Sequence, residues 1–276
     1  MVAYVVDHHQ ISISRACRVA SLPKSMYYYK KMKDDSQTIS KLQELAATYP
    51  TEGQDLYYGR IRTQGFKWNY KRVRRVYLLL GLNQRRKIRK RLPARVKNPL
   101  VRPAAPREMW SVDFMSDVLT NQRKFRTLNV IDDFNREAIA VEVAHSMPAV
   151  RVTGLLEQII CEQGKPKCIR VDNGPEFISK EFNIWCKGND IEIQYTQPGR
   201  PMQNGYIERF NRSFRESILD AYLFEDVMQV QLLAEEWVTD YNSKRPHEAL
   251  GGKTPLEYRA EWGLSMEPTP AESTPC

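Results

Sequence analysis

Three acidic residues, Asp113, Asp172 and Glu208, stand where they could act together on a substrate. Asp113 interrupts an otherwise apolar run, where an unpaired carboxylate is costly. Asp172 ends a short apolar run ahead of an Asn-Gly turn, 59 residues after Asp113 and 36 residues before Glu208. Carboxylate oxygens bind Mg²⁺, and two such ions about 4 Å apart can activate an attacking hydroxyl and stabilise the leaving oxygen at phosphorus. These residue types therefore favour metal-dependent phosphodiester chemistry.

Glu208 is predicted to lie on a helix over Gln203–Leu219, which begins after the breaker segment 197–201 and has Asn204 as its cap. Apolar residues recur at helical spacing and would be buried: Ile207, Phe210, Phe214 and Ile218. One polar face carries Glu208, Asn211, Arg212 and Arg215. An acid followed two turns later by a base is unusual for a merely solvated face.

The net charge of +9 is divided unevenly along the chain. Residues 1–108 contain 24 Lys and Arg against 7 Asp and Glu, whereas residues 109–276 contain 18 against 26. This division suggests a nucleic-acid-binding module joined to a module that gathers carboxylates. A solvated basic surface is the alternative interpretation of the first part. Carboxylates gathered near a polyanion favour bound metal.

The second part is predicted to be an α/β domain. Five runs have the texture of strands: Trp110–Leu119, Lys124–Ile131, Glu137–Val143, Lys167–Val171 and Ile191–Tyr195. Helices are expected at Ala149–Gln163 and Ser179–Gly188. Three successive strands followed by alternating helices and strands predict a mixed five-stranded sheet flanked by helices. Asp113 would then lie mid-strand, and Asp172 would end a strand beside a crevice.

The first part is predicted to be a small all-helical DNA-binding region. Residues 11–30 give a weak helix-turn-helix signal, with a break at Pro23, and a short helix follows over 36–48. A clearer helix begins after Asn69 and stops at Gly81. It carries the basic residues Lys71, Arg72, Arg74 and Arg75, which we expect to contact DNA. The following run, Gln84–Arg91, includes Arg85, Arg86 and Lys87 and is expected to be an arm that binds phosphates; a disordered tether would be compatible with that role.

These patterns predict five segments. A basic helical region over 1–92 is followed by a proline-rich linker over 93–107 and a catalytic core over 108–222. A helical extension over 223–265 begins with a helix near 226–241, and a disordered tail covers 266–276.

The cysteines and the apolar runs indicate the cellular compartment of the protein. The five cysteines form no C-x-x-C pair, and Cys161, Cys168 and Cys186 lie among apolar residues, where a reduced and buried thiol is expected. The N-terminus does not resemble a signal peptide, and no apolar run reaches the roughly 18 residues of a membrane span. We therefore expect a cytoplasmic protein.

Several motifs in order resemble the OrfB-type transposases of two-frame bacterial insertion sequences, which belong to the DDE, or retroviral-integrase, superfamily. The motifs are WSVDFMSD around Asp113, VIDDFNRE at 130–137, RVDNGPEF at 170–177, QPGRPMQNGYIERFNRSFRE at 197–216 and YNSKRPHEALGGKTPLEY at 241–258. In that family thirty-five residues separate the last two acids, as here, and a Lys or Arg follows the Glu by seven positions, where this chain has Arg215. The resemblance covers about residues 10–260.

The resemblance implies a ribonuclease-H-like core in which Asp113, Asp172 and Glu208 hold two Mg²⁺ ions, with Mn²⁺ as a substitute. Arg215, and with it Arg212, would contact DNA. The implied activity is cleavage of element ends and transfer of the freed 3′-hydroxyls to another phosphodiester. The implied partners are double-stranded DNA, comprising terminal inverted repeats and target, a homo-oligomer on that DNA, and an upstream-frame helix-turn-helix protein, fused or associated.

Two other functions remain open on the sequence alone. The first is a nuclease with the same core that cuts but does not join strands. The second is a regulator that binds terminal repeats with a degenerate core, against which the intact acid triad argues. Other acidic and basic residues are interpreted structurally: Asp117 as a strand-edge residue, Asp132 and Asp133 as turn formers, Glu176 as a residue that caps or lines the crevice, and 241–247 as a cap of the core.

Overall fold

The computed structural model describes residues 2–28, 34–83, 102–196 and 204–263, which fall into two units, Met1–Gln43 and Glu44–Cys276. The first unit contains three short helices, α1 Val2–His9, α2 Ile13–Val19 and α3 Lys24–Tyr27. Val2, Ala16 and Cys17 form a small buried cluster there. The predicted break at Pro23 is present, whereas α1 was not predicted.

Three further helices follow in the chain, α4 Ser36–Thr48, α5 Gln54–Thr63 and α6 Tyr70–Leu79. The Asn69 side chain accepts a hydrogen bond from the Lys71 N–H and caps α6, as predicted. The helix ends before Gly81, whose φ of 66° only glycine adopts without strain.

The sheet has the order β3-β2-β1-β4-β5. Its strands are β1 Met109–Val118, β2 Lys124–Asp132, β3 Ala138–Ala144, β4 Cys168–Val171 and β5 Glu192–Tyr195. The first three form an antiparallel meander, and the last two run parallel to β1 after helical crossovers. The predicted mixed five-stranded sheet is therefore confirmed, with β1 at its centre.

Helices bury both faces of the sheet. α7 Ala149–Gln163 and α8 Lys180–Gly188 cover one face, where Trp110, Val112 and Val130 are buried. α9 Gly205–Phe214 and α10 Val227–Ser243 cover the other face, and α11 Pro255–Glu261 follows. None of the described helices is long and apolar enough to cross a membrane.

A buried ion-pair cluster fixes α5 to the C-terminal part of α10. The Arg60 guanidinium lies 2.8 Å from Glu52 Oε1 and 2.8 Å from Asp240 Oδ2. Gly59 lies so close to the Pro246 ring that an added Cβ would clash with it. The segment 44–83 is therefore packed within the unit that contains the sheet.

Three sequence predictions differ from the structure or lie outside it. The single helix expected over Gln203–Leu219 is α9 followed by one π-helical turn, Arg215–Leu219, and Asn204 precedes α9 without a side-chain capping bond. Cys161, predicted to be buried, is exposed because it lies on the outer side of α7. The arm with Arg85, Arg86 and Lys87, most of the linker and the tail over 266–276 lie outside the described residues.

Candidate active site

Asp113 occupies the centre of the sheet. Its Oδ1 accepts a hydrogen bond from the Phe114 N–H at 2.9 Å, and its Oδ2 accepts one from Asn211 Nδ2 at 2.8 Å. Burial, followed by the charges of Asp172 and Glu208, raises the pKa of Asp113 from 3.8 to about 6. The three carboxylates therefore share one electrostatic environment, and a bound cation would relieve their repulsion.

Strand register brings Asp172 beside Asp113. β1 and β4 are parallel, and Ser111 lies opposite Arg170. Asp113 follows Ser111 by two residues and Asp172 follows Arg170 by two, so the two acids are also neighbours. Neighbouring strands lie about 4.8 Å apart, so these two acids emerge side by side at the carboxyl end of β4. The predicted convergence of a mid-strand acid and a strand-end acid follows directly from this register.

The Asn-Gly turn after β4 fixes the Asp172 carboxylate. Its Oδ1 accepts a hydrogen bond from the Gly174 N–H at 2.9 Å, and Asn173 Nδ2 donates to the Thr196 carbonyl at 3.2 Å. A Cβ at position 174 would lie 2.9 Å from Asp172 Oδ1. Glycine is therefore required for the carboxylate to keep this position, as the sequence suggested for the turn.

Glu208 reaches the site from α9, whose apolar side is anchored in the core. Ile207, Phe210 and Phe214 on this helix are at most 1% exposed, whereas Glu208 itself is exposed. The amphipathic pattern read from the sequence therefore placed the acid on the correct side of its helix.

Asn211 connects α9 to the sheet and is a site residue whose role sequence reasoning missed. It donates to Asp113 and accepts a hydrogen bond from Asn129 Nδ2 at 2.7 Å. Asn129 lies opposite Asp113 in the β1–β2 register and is fully buried. The sequence offered one signal for this role: Asn129 is a polar residue within the largely apolar strand β2, just as Asp113 is within its own strand.

The three acids fit a metal ion by the chemistry of their oxygens. Among the residues that the structure describes, no three His, Cys, Asp or Glu side chains converge closely enough to surround a single ion. Their carboxylate oxygens are nevertheless the ligand type that Mg²⁺ prefers, and the charges of Asp172 and Glu208 both act on Asp113.

The predicted DNA-contacting residues have varied surroundings. Arg215 Nη1 lies 3.1 Å from Asp117 Oδ2, and its Nη2 donates to the Ser116 carbonyl at 3.0 Å, so its guanidinium is held against the end of β1. Arg212 is exposed on α9. On α6, Lys71, Arg74 and Arg75 are exposed, and Arg72 is half-buried. Their contact with DNA stays a prediction.

Other acids near the sheet have structural partners. Asp133 accepts hydrogen bonds from Ser111 at 2.7 Å and from Arg170 at 2.6 Å, and all three residues are buried. Asp132 accepts from the backbone N–H groups of Arg107 and Phe134 within its turn. Asp132 therefore supports its turn as interpreted, whereas the Asp133 side chain is a buried ion-pair partner of Arg170 rather than a turn former.

Comparison with known proteins gives consistent matches. The Integrase core domain family matches residues 103–201 and, in a second model, residues 189–255. The insertion element IS407 uncharacterized 31.7 kDa protein of Burkholderia multivorans is 34% identical over 253 residues, which is 91% of this chain and 91% of that protein. The insertion element IS476 uncharacterized 39.2 kDa protein of Xanthomonas euvesicatoria is 33% identical over 260 residues, 94% of this chain and 75% of that protein. Among solved structures, a simian T-cell lymphotropic virus intasome in complex with PP2A regulatory subunit B56 gamma has a TM-score of 0.51 at 18% identity, covering 84% of this chain and 78% of that one, a likeness of fold.

Proposed function

The chain belongs to the integrase-core family of insertion-element transposases, within the DDE, or retroviral-integrase, superfamily, and on that premise we propose that it cuts insertion-sequence ends and joins the freed 3′-hydroxyls to target DNA through Asp113, Asp172 and Glu208. The observation that carries the proposal is that strand register sets Asp113 beside Asp172, while the charges of Asp172 and Glu208 both act on Asp113. Activity as a polynucleotidyl transferase of this superfamily needs no nucleophilic side chain.

We propose that Asp113 lies between two divalent ions, with Asp172 and Glu208 each serving one of them. Bound Mg²⁺, or Mn²⁺ in its place, would activate the attacking hydroxyl and stabilise the leaving oxygen. Asn211 holds the Asp113 carboxylate through Oδ2, and the Gly174 N–H holds Asp172 through Oδ1. These neutral donors orient the acids without neutralising the charge that attracts a cation.

DNA contacts complete the proposal. Arg215 and Arg212 would meet phosphates near the acids, and Arg215 would do so from its position against Asp117. The exposed basic residues of α6, and the arm that follows it, would hold the flanking duplex through phosphate contacts.

Proteins of this superfamily act on DNA and oligomerise in intasomes, and this chain is proposed to form a homo-oligomer on paired element ends. A fused or associated upstream-frame helix-turn-helix protein is the further partner we propose, at the nucleoid. Gel filtration of the chain with and without terminal DNA tests whether the upstream protein is needed. A stable synaptic dimer of this chain alone would show that no upstream segment is required.

The decisive assay supplies labelled element-end duplexes, target plasmid and Mg²⁺ or Mn²⁺. A transposase gives both cleaved ends and joined product, a nuclease gives cleavage alone, and a regulator gives binding alone. Glu208→Gln is expected to abolish cleavage and joining while end binding stays within about twofold, because one ligand charge is lost without a change in shape. Arg215→Ala is expected to weaken DNA engagement first. Full activity of Glu208→Gln would refute the proposal.

A further inference from the structure

A groove of about 1790 Å³ opens beside Glu208, between α9 and the segment that contains α5. Its volume exceeds the roughly 300–1,000 Å³ that encloses a small molecule. The α9 wall contributes Tyr206 and Arg209, and the opposite wall contributes Tyr58 and Arg62. Cationic and aromatic side chains in one groove are typical of surfaces that follow a nucleic-acid strand.

Arg136 also lines this groove, with an uncommon backbone conformation and an unsatisfied side-chain donor. Its backbone has a φ of 62°, and its guanidinium carbon lies 3.2 Å from the centroid of the Tyr206 ring. Its Nη1 is buried without a hydrogen-bond partner among the described residues. The nearby carboxylate of Asp133 is already hydrogen-bonded to Ser111 and Arg170. Arg136 is half-buried and also interacts with the Tyr206 side chain and the Asp133 charge, yet its buried Nη1 stays unfavourable unless an acceptor completes it.

Two further arginines and a histidine surround the same point. Arg209 and Arg245 line the groove with Arg136, and all three act on His247, whose pKa is lowered to about 3 by burial and by these positive charges. The imidazole is therefore neutral near pH 7, and its Nε2 is also buried without a partner among the described residues. Among the described residues, the three arginines and His247 form one ion pair, between Arg245 and Glu52 at 3.5 Å. The cluster therefore has excess positive charge.

We propose that Arg136, Arg209 and His247 form a phosphate-binding subsite that takes one backbone phosphate of the DNA strand lying across Glu208. The subsite rests on the proposed function only in that the phosphate belongs to DNA. The segment Tyr241–His247, which the sequence indicated to be a cap of the core, would then also take part in binding DNA. Arg209 is the exposed member of the subsite and Arg136 the half-buried one, whose guanidinium lies over the Tyr206 ring.

The position next to Glu208 makes the inference specific. Tyr206, Glu208 and Arg209 lie within one turn of α9, so a strand held by the subsite passes the candidate metal ligands at a fixed distance. The subsite would thus set which phosphodiester of the strand meets the metals, in addition to contributing affinity.

The test is a phosphate scan. Fluorescence anisotropy in EDTA measures binding of the full chain to element-end duplexes in which a neutral methylphosphonate replaces one phosphate at a time. Wild-type protein is expected to lose about tenfold or more in affinity at one or two positions near the cleavage point. In Arg136→Gln the penalty at those positions falls to within about twofold, while penalties elsewhere persist. The slope of log affinity against log salt falls by about one.

Two further variants control the scan. Arg259→Gln removes an arginine that pairs with Glu137 outside the groove, and it is expected to keep the full wild-type profile. Arg209→Gln changes an exposed residue and should fold even if Arg136→Gln does not; it is expected to show the same position-selective loss. A uniform loss across all phosphates in both groove variants, or a wild-type profile in both, would overturn the subsite.

Cleavage by wild-type protein separates this inference from the proposed function. If wild-type protein cuts and joins DNA but its phosphate profile does not depend on Arg136 or Arg209, the subsite is refuted and the proposed function stands. If wild-type protein binds ends with an arginine-dependent profile yet neither cuts nor joins them in Mg²⁺ or Mn²⁺, the subsite stands and the proposed function fails.

Discussion

Replacing Asp113 by Asn is expected to stabilise the metal-free protein at neutral pH, although it removes a proposed metal ligand. The pKa of Asp113 rises from 3.8 to about 6 because of burial first and then the charges of Asp172 and Glu208. Between these pH values the folded protein binds a proton that the unfolded chain has released. The free energy of unfolding therefore falls as pH rises through this window, and the full penalty applies above about pH 6.

The size of the effect follows from the same values. A pKa raised by this amount costs the ionised folded state about 3 kcal/mol at pH 7.5. Asparagine can keep the bond from Asn211 but loses the one from the Phe114 N–H, worth about 1 kcal/mol. The net gain of about 2 kcal/mol corresponds to a rise in Tm of about 4–8 °C for a unit of this length.

Thermal unfolding monitored by circular dichroism measures this difference. In EDTA at pH 7.5 Asp113→Asn should melt above wild type, and near pH 3 this advantage should disappear because wild-type Asp113 is then mostly protonated in both states. Mg²⁺ should raise the Tm of wild type more than that of the variant. Asp117→Asn, which removes a charge from the same strand beside Arg215, should keep the wild-type response to Mg²⁺.

Two results would refute this reasoning. One is an Asp113→Asn variant that melts below wild type in EDTA at pH 7.5, because the carboxylate would then be stabilised by its surroundings. The other is an equal rise in Tm with Mg²⁺ for wild type and Asp113→Asn, because the ion would then bind elsewhere.

Three further outcomes are expected. Gly174→Ala, whose Cβ would lie 2.9 Å from Asp172 Oδ1, should lower Mg²⁺ affinity about tenfold or more in a titration of end cleavage with end binding unchanged; unchanged affinity would contradict the role of the turn. Arg60→Met removes the short ion pairs to buried Glu52 and half-buried Asp240 and should cost about 3–5 kcal/mol in urea unfolding, and a cost below about 1 kcal/mol would argue against the cluster. Burial raises the pKa of Cys186 to about 12, so iodoacetamide at pH 8 should label exposed Cys161 and spare Cys186 in folded protein, as mass spectrometry would show.

The sheet and its helices followed from local patterns in the sequence. Alternating and apolar runs predicted five strands within a few residues of their bounds, and the bounds of α7 agree with those predicted. Helix starts were predicted at Asn69 and Ser179, and both side chains bond the backbone of their own helix, whereas the predicted cap Asn204 forms no such bond. These features depend on neighbours close in sequence, which is why one chain sufficed to predict them.

Contacts between distant residues were not predictable in the same way. The Asn129–Asn211–Asp113 chain of hydrogen bonds joins two strands and a helix, and no local pattern specifies it. The π-helical turn Arg215–Leu219 was also not predictable, because the helical periodicity continued unbroken to Leu219. The unmet donors around Arg136 likewise appear only once the groove has formed.

The most direct test of the central claim is an anomalous-scattering map of the protein crystallised with an element-end duplex and Mn²⁺. The account predicts two peaks, both within about 2.5 Å of Asp113 carboxylate oxygens, one also bound by Asp172 and the other by Glu208. Peaks bound by other side chains, or an ordered DNA complex without a peak at Asp113, would contradict it.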